Sequence, residues 1–271
     1  MLRPPHDRYH RLYVYHLEMP VMPAIDDPDF VGGWLEDGKP ILFFHRDRQQ
    51  LVDDLCRRYH GSVFYQADLD YRDWEAGHDV AAFGVDDLTV APLWDPTPAD
   101  IRLDPSVIFG SGFHPTTRMC LAVLLKYLAA PELTINTMLD LGCGTGLLGI
   151  AAAKRGVGQV TAVDYNSLAC ELTAANAERN GVGEKIKVQQ RDLLQGLPDT
   201  AVDLVVANLY RDLLQQLFTD EEFWKGKLYI ISGFISGMEP DLLAALPMHR
   251  LRMLERHRSE NWCLWVLLKT S

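Results

Sequence analysis

The amino-acid sequence predicts an α/β protein: an open, doubly wound, mostly parallel sheet preceded by a small α+β module. Three observations carry that expectation. An apolar run, Met138-Leu139-Asp140-Leu141, passes through three glycines spaced by two (Gly142, Gly144, Gly146) into an apolar, Ala-rich helix over Leu147–Lys154. This is the layout of a first strand, a tight turn and a helix N-terminus in such a sheet. From Met138 onward strands and helices alternate, as a doubly wound sheet requires. The chain then ends in two strands, His249–Arg256 and Trp262–Lys269, which the short turn at Ser259-Glu260-Asn261 makes antiparallel.

The first unit runs to about residue 95. His10–Leu17 alternates apolar and polar residues and predicts a strand. A Pro- and Asp-rich loop follows, from Met19 to Pro28. Two short strands, Val31–Leu35 and Ile41–Phe44, flank a turn at Asp37-Gly38. Leu51, Val52, Leu55 and Tyr59 recur at helical spacing within Asp47–Tyr59, and Gly61 is a stop signal. Val63-Phe64-Tyr65 returns as a strand. Residues 74–90 lead to the proline-punctuated connector Ala91–Pro98.

The second unit, residues 96–271, opens with linker, lid and leading helix over 96–136. Its segment Asp104–Thr117 carries Gly110, Gly112 and Pro115 and runs into a helix over Thr116–Leu128, with Thr116 or Thr117 as N-cap. Such a segment is either an interdomain loop or a lid whose glycines let backbone approach a ligand. The strands that follow are Thr137–Leu141, Gln159–Val163, Lys185–Gln190, Val202–Ala207 and Lys227–Ser232. The helices are Leu147–Lys154, Ser167–Asn180, Arg211–Phe218 and Met238–Leu246.

Composition narrows the class. With 271 residues, 48% hydrophobic and 23% charged, the chain has room for one large domain or two. No run is long and apolar enough to cross a membrane, and the first residues lack the apolar core of a signal peptide. The five cysteines are scattered, odd in number and never in a CxxC pair, which suits free thiols in a reducing cytoplasm better than disulfides or a metal site. The net charge of −11 is uneven: up to Asp95 there are 9 Lys/Arg against 18 Asp/Glu, and beyond it 17 against 19. An acidic first third disfavours direct nucleic-acid binding and suits either a basic partner or a plain solvated surface.

The glycine turn predicts a nucleotide-type pocket, since the helix start offers unpaired N–H groups and the glycines admit a ligand close to the backbone. A dinucleotide fingerprint would need G-x-G-x-x-G, and its third glycine position is Leu147 here. Asp164 ends the second strand, where a carboxylate can accept ribose hydroxyls. Asp192 follows the third strand, within reach of an adenine edge, and Asn208 ends the fourth, beside the switch point. Asp140 can anchor the loop through backbone N–H groups or hold an ammonium or sulfonium. Each residue alone is equally a turn or cap residue; together they favour an adenosine pocket without a pyrophosphate.

Asp140-Leu-Gly-Cys-Gly-Thr-Gly146 resembles the S-adenosylmethionine-binding motif of class I methyltransferases. Phe109-Gly-Ser-Gly-Phe-His-Pro-Thr-Thr117 and Val206-Ala-Asn-Leu209 narrow the resemblance to the PrmA family, which methylates a large-subunit ribosomal protein; Asn176-Ala-Glu-Arg-Asn-Gly181 and Ser232-Gly-Phe-Ile235 also fit. It covers roughly residues 70 to 268. It implies a seven-stranded class I methyltransferase (Rossmann-like) sheet, with residues 1–95 as a substrate-recognition domain. It also implies S-adenosyl-L-methionine as cofactor, contacted by Thr117, Gly142, Asp164 and Asn208, with Gly144, Gly146, Asp140, Asp192 and Phe109 beside them. The chain departs from the family at Ser111 and Phe113, where Thr is usual, at Leu209-Tyr210 after Asn208, and in lacking a helix between its first two strands. These departures bear on the substrate more than on methyl transfer.

A sulfonium methyl needs a neutral nucleophile, so positioning matters more than covalent chemistry. Asn208 is the candidate for orienting a lysine or α-amine of a basic protein. Tyr210 either lines the channel or simply starts a helix, and His114 either relays a proton or shapes its turn. Direct transfer gives Cys143 no nucleophilic role. The same fold acting on another protein lysine or a small molecule, an NAD-binding oxidoreductase, and a catalytically silent cofactor-binding module are the other readings.

Overall fold

The computed structural model describes residues 11–36, 38–70 and 81–270. His10 of the first expected strand, Asp37 of the first expected turn and residues 74–80 of the lead-in lie outside them. Strands β1 (Arg11–Glu18), β2 (Phe30–Glu36), β3 (Lys39–Phe44) and β4 (Ser62–Asp70) form an antiparallel sheet in the order β2-β3-β1-β4. Period-two patterning gives this sheet two apolar faces. Tyr15, Leu17, Leu42 and Phe44 pack beneath helix α1 (Gln49–Tyr59), against Val52 and Leu55. Leu12, Val14, Ile41 and Phe43 face the other way and meet Val107 and Leu168 of the second unit.

Residues 19–29 form no helix, as their prolines predict. Arg48 holds this loop down through Asp27 and Asp29, and Tyr15 donates its hydroxyl to Asp47 at 2.9 Å. Helix α1 ends on His60 in the left-handed region, one residue before the expected stop. Gly61 serves close packing instead: a Cβ there would lie 2.8 Å from the Glu18 carbonyl oxygen.

The connector conceals a small sheet. Strands β5 (Phe83–Val85) and β6 (Leu88–Pro92) form a hairpin, and β7 (Ile101–Leu103) runs parallel to β6. Leu88, Val90, Ile101 and Leu103 enter the same core as helices α2 (Pro115–Leu128) and α3 (Leu147–Lys154). The N-cap of α2 is His114, not either threonine. Pro115 occupies the first helical turn, where its missing N–H costs nothing, and this sets the start one residue ahead of Thr116.

The large sheet has seven strands: β8 (Thr137–Leu141), β9 (Gln159–Asp164), β10 (Ile186–Gln190), β11 (Leu204–Asn208), β12 (Leu228–Ile235), β13 (Leu251–Ser259) and β14 (Trp262–Lys269). Their order is β10-β9-β8-β11-β12-β14-β13. The first five are parallel, and β14 runs antiparallel between β12 and β13. Helices α2 and α3 cover one face, while α5 (Arg211–Leu217) and α6 (Glu239–Ala245) cover the other. Strands buried on both sides read as the continuous apolar runs Leu204–Ala207 and Leu228–Ile231. Strand order reverses between β8 and β11, so a crevice opens where Leu141 and Asn208 end their strands. Among the described residues, no helix is long and apolar enough to cross a membrane.

Candidate functional site

A cavity of about 1300 Å³ occupies that crevice. Its floor is the turn after β8. Gly142, Gly144 and Gly146 all have positive φ, at 71°, 55° and 81°. The N–H groups of Gly142 and Cys143 both donate to the Val163 carbonyl, at 2.8 and 3.0 Å, which draws the turn toward β9. A Cβ on Gly144 would sit 2.2 Å from the Phe109 carbonyl oxygen, so only glycine lets the 107–114 segment cross so closely. That crossing is bonded. The Thr145 N–H donates to Phe109 O at 3.1 Å, and the Thr145 hydroxyl donates to Gly110 O at 2.8 Å.

Helix α4 (Ser167–Arg179) braces the turn from behind. The Thr173 hydroxyl donates to Gly144 O at 2.9 Å. The fully buried Asn176 donates to Thr145 O and Asp104 O and accepts the Asp104 N–H. Asn180, one turn on, clamps both backbone groups of Arg102. The Asn-Gly motif at 176–181 thus fastens the Arg102–Asp104 backbone to the glycine turn.

Asp164 lines the cavity, with one carboxylate oxygen accepting from Gly144 N–H at 3.1 Å and the other from Asn166 N–H at 3.0 Å. Burial pushes its pKa up, against the backbone N–H groups of Asn166, Gly144 and Tyr165. Each oxygen keeps a lone pair for a ligand hydroxyl. Asp192 also lines the cavity; it accepts from Leu194 N–H and from the Gln195 amide, both at 2.9 Å. Asn208 is there too, and its side-chain oxygen is buried with no hydrogen-bond partner. Gly233 supports it from β12: a Cβ would lie 2.1 Å from the Leu209 carbonyl oxygen.

Three of the expected cofactor residues do not line the cavity. Asp140 is 2% exposed and turned to the start of α3, accepting the Gly149 N–H at 3.2 Å. It supplies the capping oxygen that the N-cap residue Gly146 lacks, and burial pushes its pKa up to about 7. Gly146 packs against Thr173. Thr117 is fully buried, one residue from the lining residue Thr116, and its hydroxyl has no partner.

Phe109, His114 and Tyr210 do line the cavity. His114 accepts the Thr116 N–H on Nδ1 at 3.3 Å, which assigns its ring proton to Nε2. The same nitrogen lies 2.7 Å from the Thr116 hydroxyl oxygen, and burial lowers the ring's pKa, which favours the neutral cap. The ring also sits between Phe109, tilted at 57° with centroids 5.1 Å apart, and Trp262, edge to face with centroids 4.5 Å apart. Cys143 is buried and its pKa is raised by that burial, which keeps it a thiol.

The sequence reading missed Tyr165, Leu194, Trp262 and Leu35, all of which line the cavity. Exposure singles out most of them. Of ten large hydrophobic side chains exposed among the described residues, five (Leu35, Phe109, Tyr165, Leu194 and Tyr210) surround this cavity. Such a concentration marks a binding surface. Leu35 and Gly38 reach it from the β2–β3 hairpin, so the first sheet contributes to its wall.

The family model described as Ribosomal protein L11 methyltransferase (PrmA) matches residues 60–270. The chain belongs to the PrmA family. PrmA relatives named ribosomal protein L11 methyltransferase include one from Brevibacillus brevis, 37% identical over 193 residues, covering 68% of this chain and 60% of that protein. Another, from Pelotomaculum thermopropionicum, is 38% identical over 182 residues, covering 65% and 58%. The match thus spans about 60% of the length of these PrmA relatives. A crystal structure of a ribosomal protein L11 methylase from Lactobacillus delbrueckii subsp. bulgaricus superposes with a TM-score of 0.61 at 25% identity, covering 70% of this chain and 100% of that one.

Proposed function

We propose that the cavity binds S-adenosyl-L-methionine and that the protein transfers methyl groups to lysine or α-amino groups of a basic protein, ribosomal protein L11. The observation that carries this is the buried, unpartnered oxygen of Asn208 at the rim of a cavity floored by glycine backbone and flanked by Asp164. A buried acceptor left without a donor costs about 1–3 kcal/mol, which a ligand N–H recovers. The residues present fit the cofactor. Asp164 offers two oxygens to ribose hydroxyls, Asp192 offers a carboxylate on the same lining to an adenine edge, and Thr117, next to the lining residue Thr116, has a spare hydroxyl. Phe109, Tyr165 and Leu194 supply apolar walls, and no phosphate-binding lysine is present in Thr145-Gly146-Leu147.

When bound, the cofactor supplies an electrophilic methyl on a sulfonium. The chain's task is then to present a neutral amine, although free lysine has a pKa of about 10.4. The Asn208 oxygen accepts an N–H of that amine and leaves its lone pair free to point inward. An amide does this without the charge that would hold an ammonium in place, so a carboxylate at this position would favour the unreactive form. The neutral cap at His114 and the exposed ring of Tyr210 border the approach, and the tight joint between the 107–114 segment and the glycine turn keeps water from one side. Substrate recognition belongs to the acidic first unit, whose residues up to Asp95 carry twice as many acidic as basic side chains.

Asn208→Ala tests the reading. Calorimetry should show the affinity for S-adenosylmethionine kept within about fivefold, while turnover on ribosomal protein L11 falls at least about a hundredfold. Unchanged turnover removes Asn208 from the reaction. A wild-type protein that binds NAD and not S-adenosylmethionine removes the reading altogether.

A further inference from the structure

One face of the first sheet is only half used. Leu12, Val14, Ile41 and Phe43 on that face pack against Val107 and Leu168. At its other end His16, Glu18 and Lys39 stand on the same side by the alternation of β1 and β3. Phe64 and Tyr65 of β4 lie beside them, 55% and 53% exposed. The pairing of β1 with β4 shifts between His16 and Leu17, and this irregularity brings two consecutive rings to one neighbour. The His16 ring meets Phe64 at 5.6 Å and Tyr65 at 5.1 Å, both edge to face. Two adjacent exposed aromatics do nothing for the module's own core, which closes on Tyr15, Leu17, Leu42 and Phe44.

The chemistry of the patch is already written on it. The Lys39 ammonium lies 5.3 Å from the centre of the Phe64 ring while pairing with Glu18 at 2.8 Å. An exposed ring with a carboxylate beside it attracts a cation. The unit around it is acidic, with 18 Asp/Glu against 9 Lys/Arg up to Asp95, so the field draws in a basic chain. Lys39 also follows Gly38, and Gly38 and Leu35 line the cavity. The β2–β3 hairpin therefore joins the aromatic patch to the place where an amine would be methylated.

We propose that His16, Phe64 and Tyr65 seat a basic segment of the protein substrate, with its lysine or arginine side chains laid over the rings of Phe64 and Tyr65. This rests on the reading of the cavity as a protein methyltransferase site and names the surface that selects its substrate. Phe64 and Tyr65 fall inside the stretch matched by the family model, 60–270, while His16, Glu18 and Lys39 fall outside it.

The test measures binding of the full-length protein to ribosomal protein L11 of the same host by biolayer interferometry, together with KM and kcat for its methylation. Phe64→Ala with Tyr65→Ala should raise both Kd and KM at least about tenfold, with kcat and cofactor affinity unchanged within about twofold. Phe64→Tyr with Tyr65→Phe, which keeps both rings, should restore binding. Unchanged Kd and KM in the alanine pair, or a loss confined to kcat, overturns the seat. Ring-dependent binding of ribosomal protein L11 without methyl transfer supports the seat and overturns the activity. A wild type that methylates another acceptor and does not bind ribosomal protein L11 overturns the seat and the choice of that substrate, and leaves methyl transfer standing.

Discussion

Gly144→Ala probes the joint on which the cavity depends. The added Cβ would lie 2.2 Å from the Phe109 carbonyl oxygen, which accepts the Thr145 N–H at 3.1 Å. Backbone cannot rotate out of the way as a side-chain tip can, so the 107–114 segment must withdraw by roughly 1 Å to reach ordinary van der Waals contact. That withdrawal loses the Thr145–Phe109 hydrogen bond, worth about 1 kcal/mol. Residue 144 has φ 55°, and a non-glycine residue held left-handed costs about 1–2 kcal/mol. Together they lower stability by about 2–3 kcal/mol, or roughly 5–10 °C in Tm for a domain of this size. Because Phe109 and Gly144 both line the cavity, affinity for S-adenosylmethionine should fall at least about tenfold as well. Differential scanning calorimetry with and without the cofactor reads both effects. A variant with wild-type Tm and the wild-type ligand-induced shift would refute the reasoning about the joint.

Thr117→Val deletes a buried hydroxyl that has no partner within the chain. It should leave stability within about 0.5 kcal/mol while weakening cofactor binding about three- to tenfold; a loss of stability without a loss of affinity would contradict this. Asp140 has its pKa raised by burial to about 7. Between about pH 4 and pH 7 the native state therefore holds a proton that the unfolded chain has released, so stability falls as pH rises through that window, by up to about 4 kcal/mol. Asp140→Asn keeps an oxygen for the Gly149 N–H and removes this dependence. Urea unfolding at pH 5 and pH 8 should show wild type losing stability relative to the variant at the higher pH, and parallel losses would contradict it.

Much of this architecture is legible in the chain, and where it is not the reasons are physical. The bounds of β8, α3 and β14 follow from a glycine turn, an alanine-rich stretch and a polar turn at Ser259–Asn261, each a sharp local signal. The sheet of β5, β6 and β7 was hidden because Pro92, Pro96 and Pro98 read as linker, although Leu88 with Val90 and Ile101 with Leu103 carry the alternation of strands. Strand β4 extends well past Tyr65, to Asp70, because a strand at the edge of a sheet tolerates the polar residues Gln66 and Asp68. At the site, the strand-end rule brings Asp164, Asp192 and Asn208 to one cavity. The same rule cannot tell a side chain facing the ligand from one facing the next helix, and Asp140 faces the helix. Tyr165, Leu194 and Trp262 carry no motif; the exposure of the first two and the place of all three around one cavity reveal them.

The central claim is that this cavity delivers a methyl group from S-adenosylmethionine to amines of ribosomal protein L11. Intact-protein and peptide mass spectrometry of that protein, purified from the same host in unmethylated form and incubated with enzyme and cofactor, tests it most directly. The account predicts mass gains in whole methyl groups located on lysine or α-amino nitrogens, absent with Asn208→Ala. An unchanged mass with cofactor bound, or methyl groups on atoms other than amine nitrogens, would contradict it.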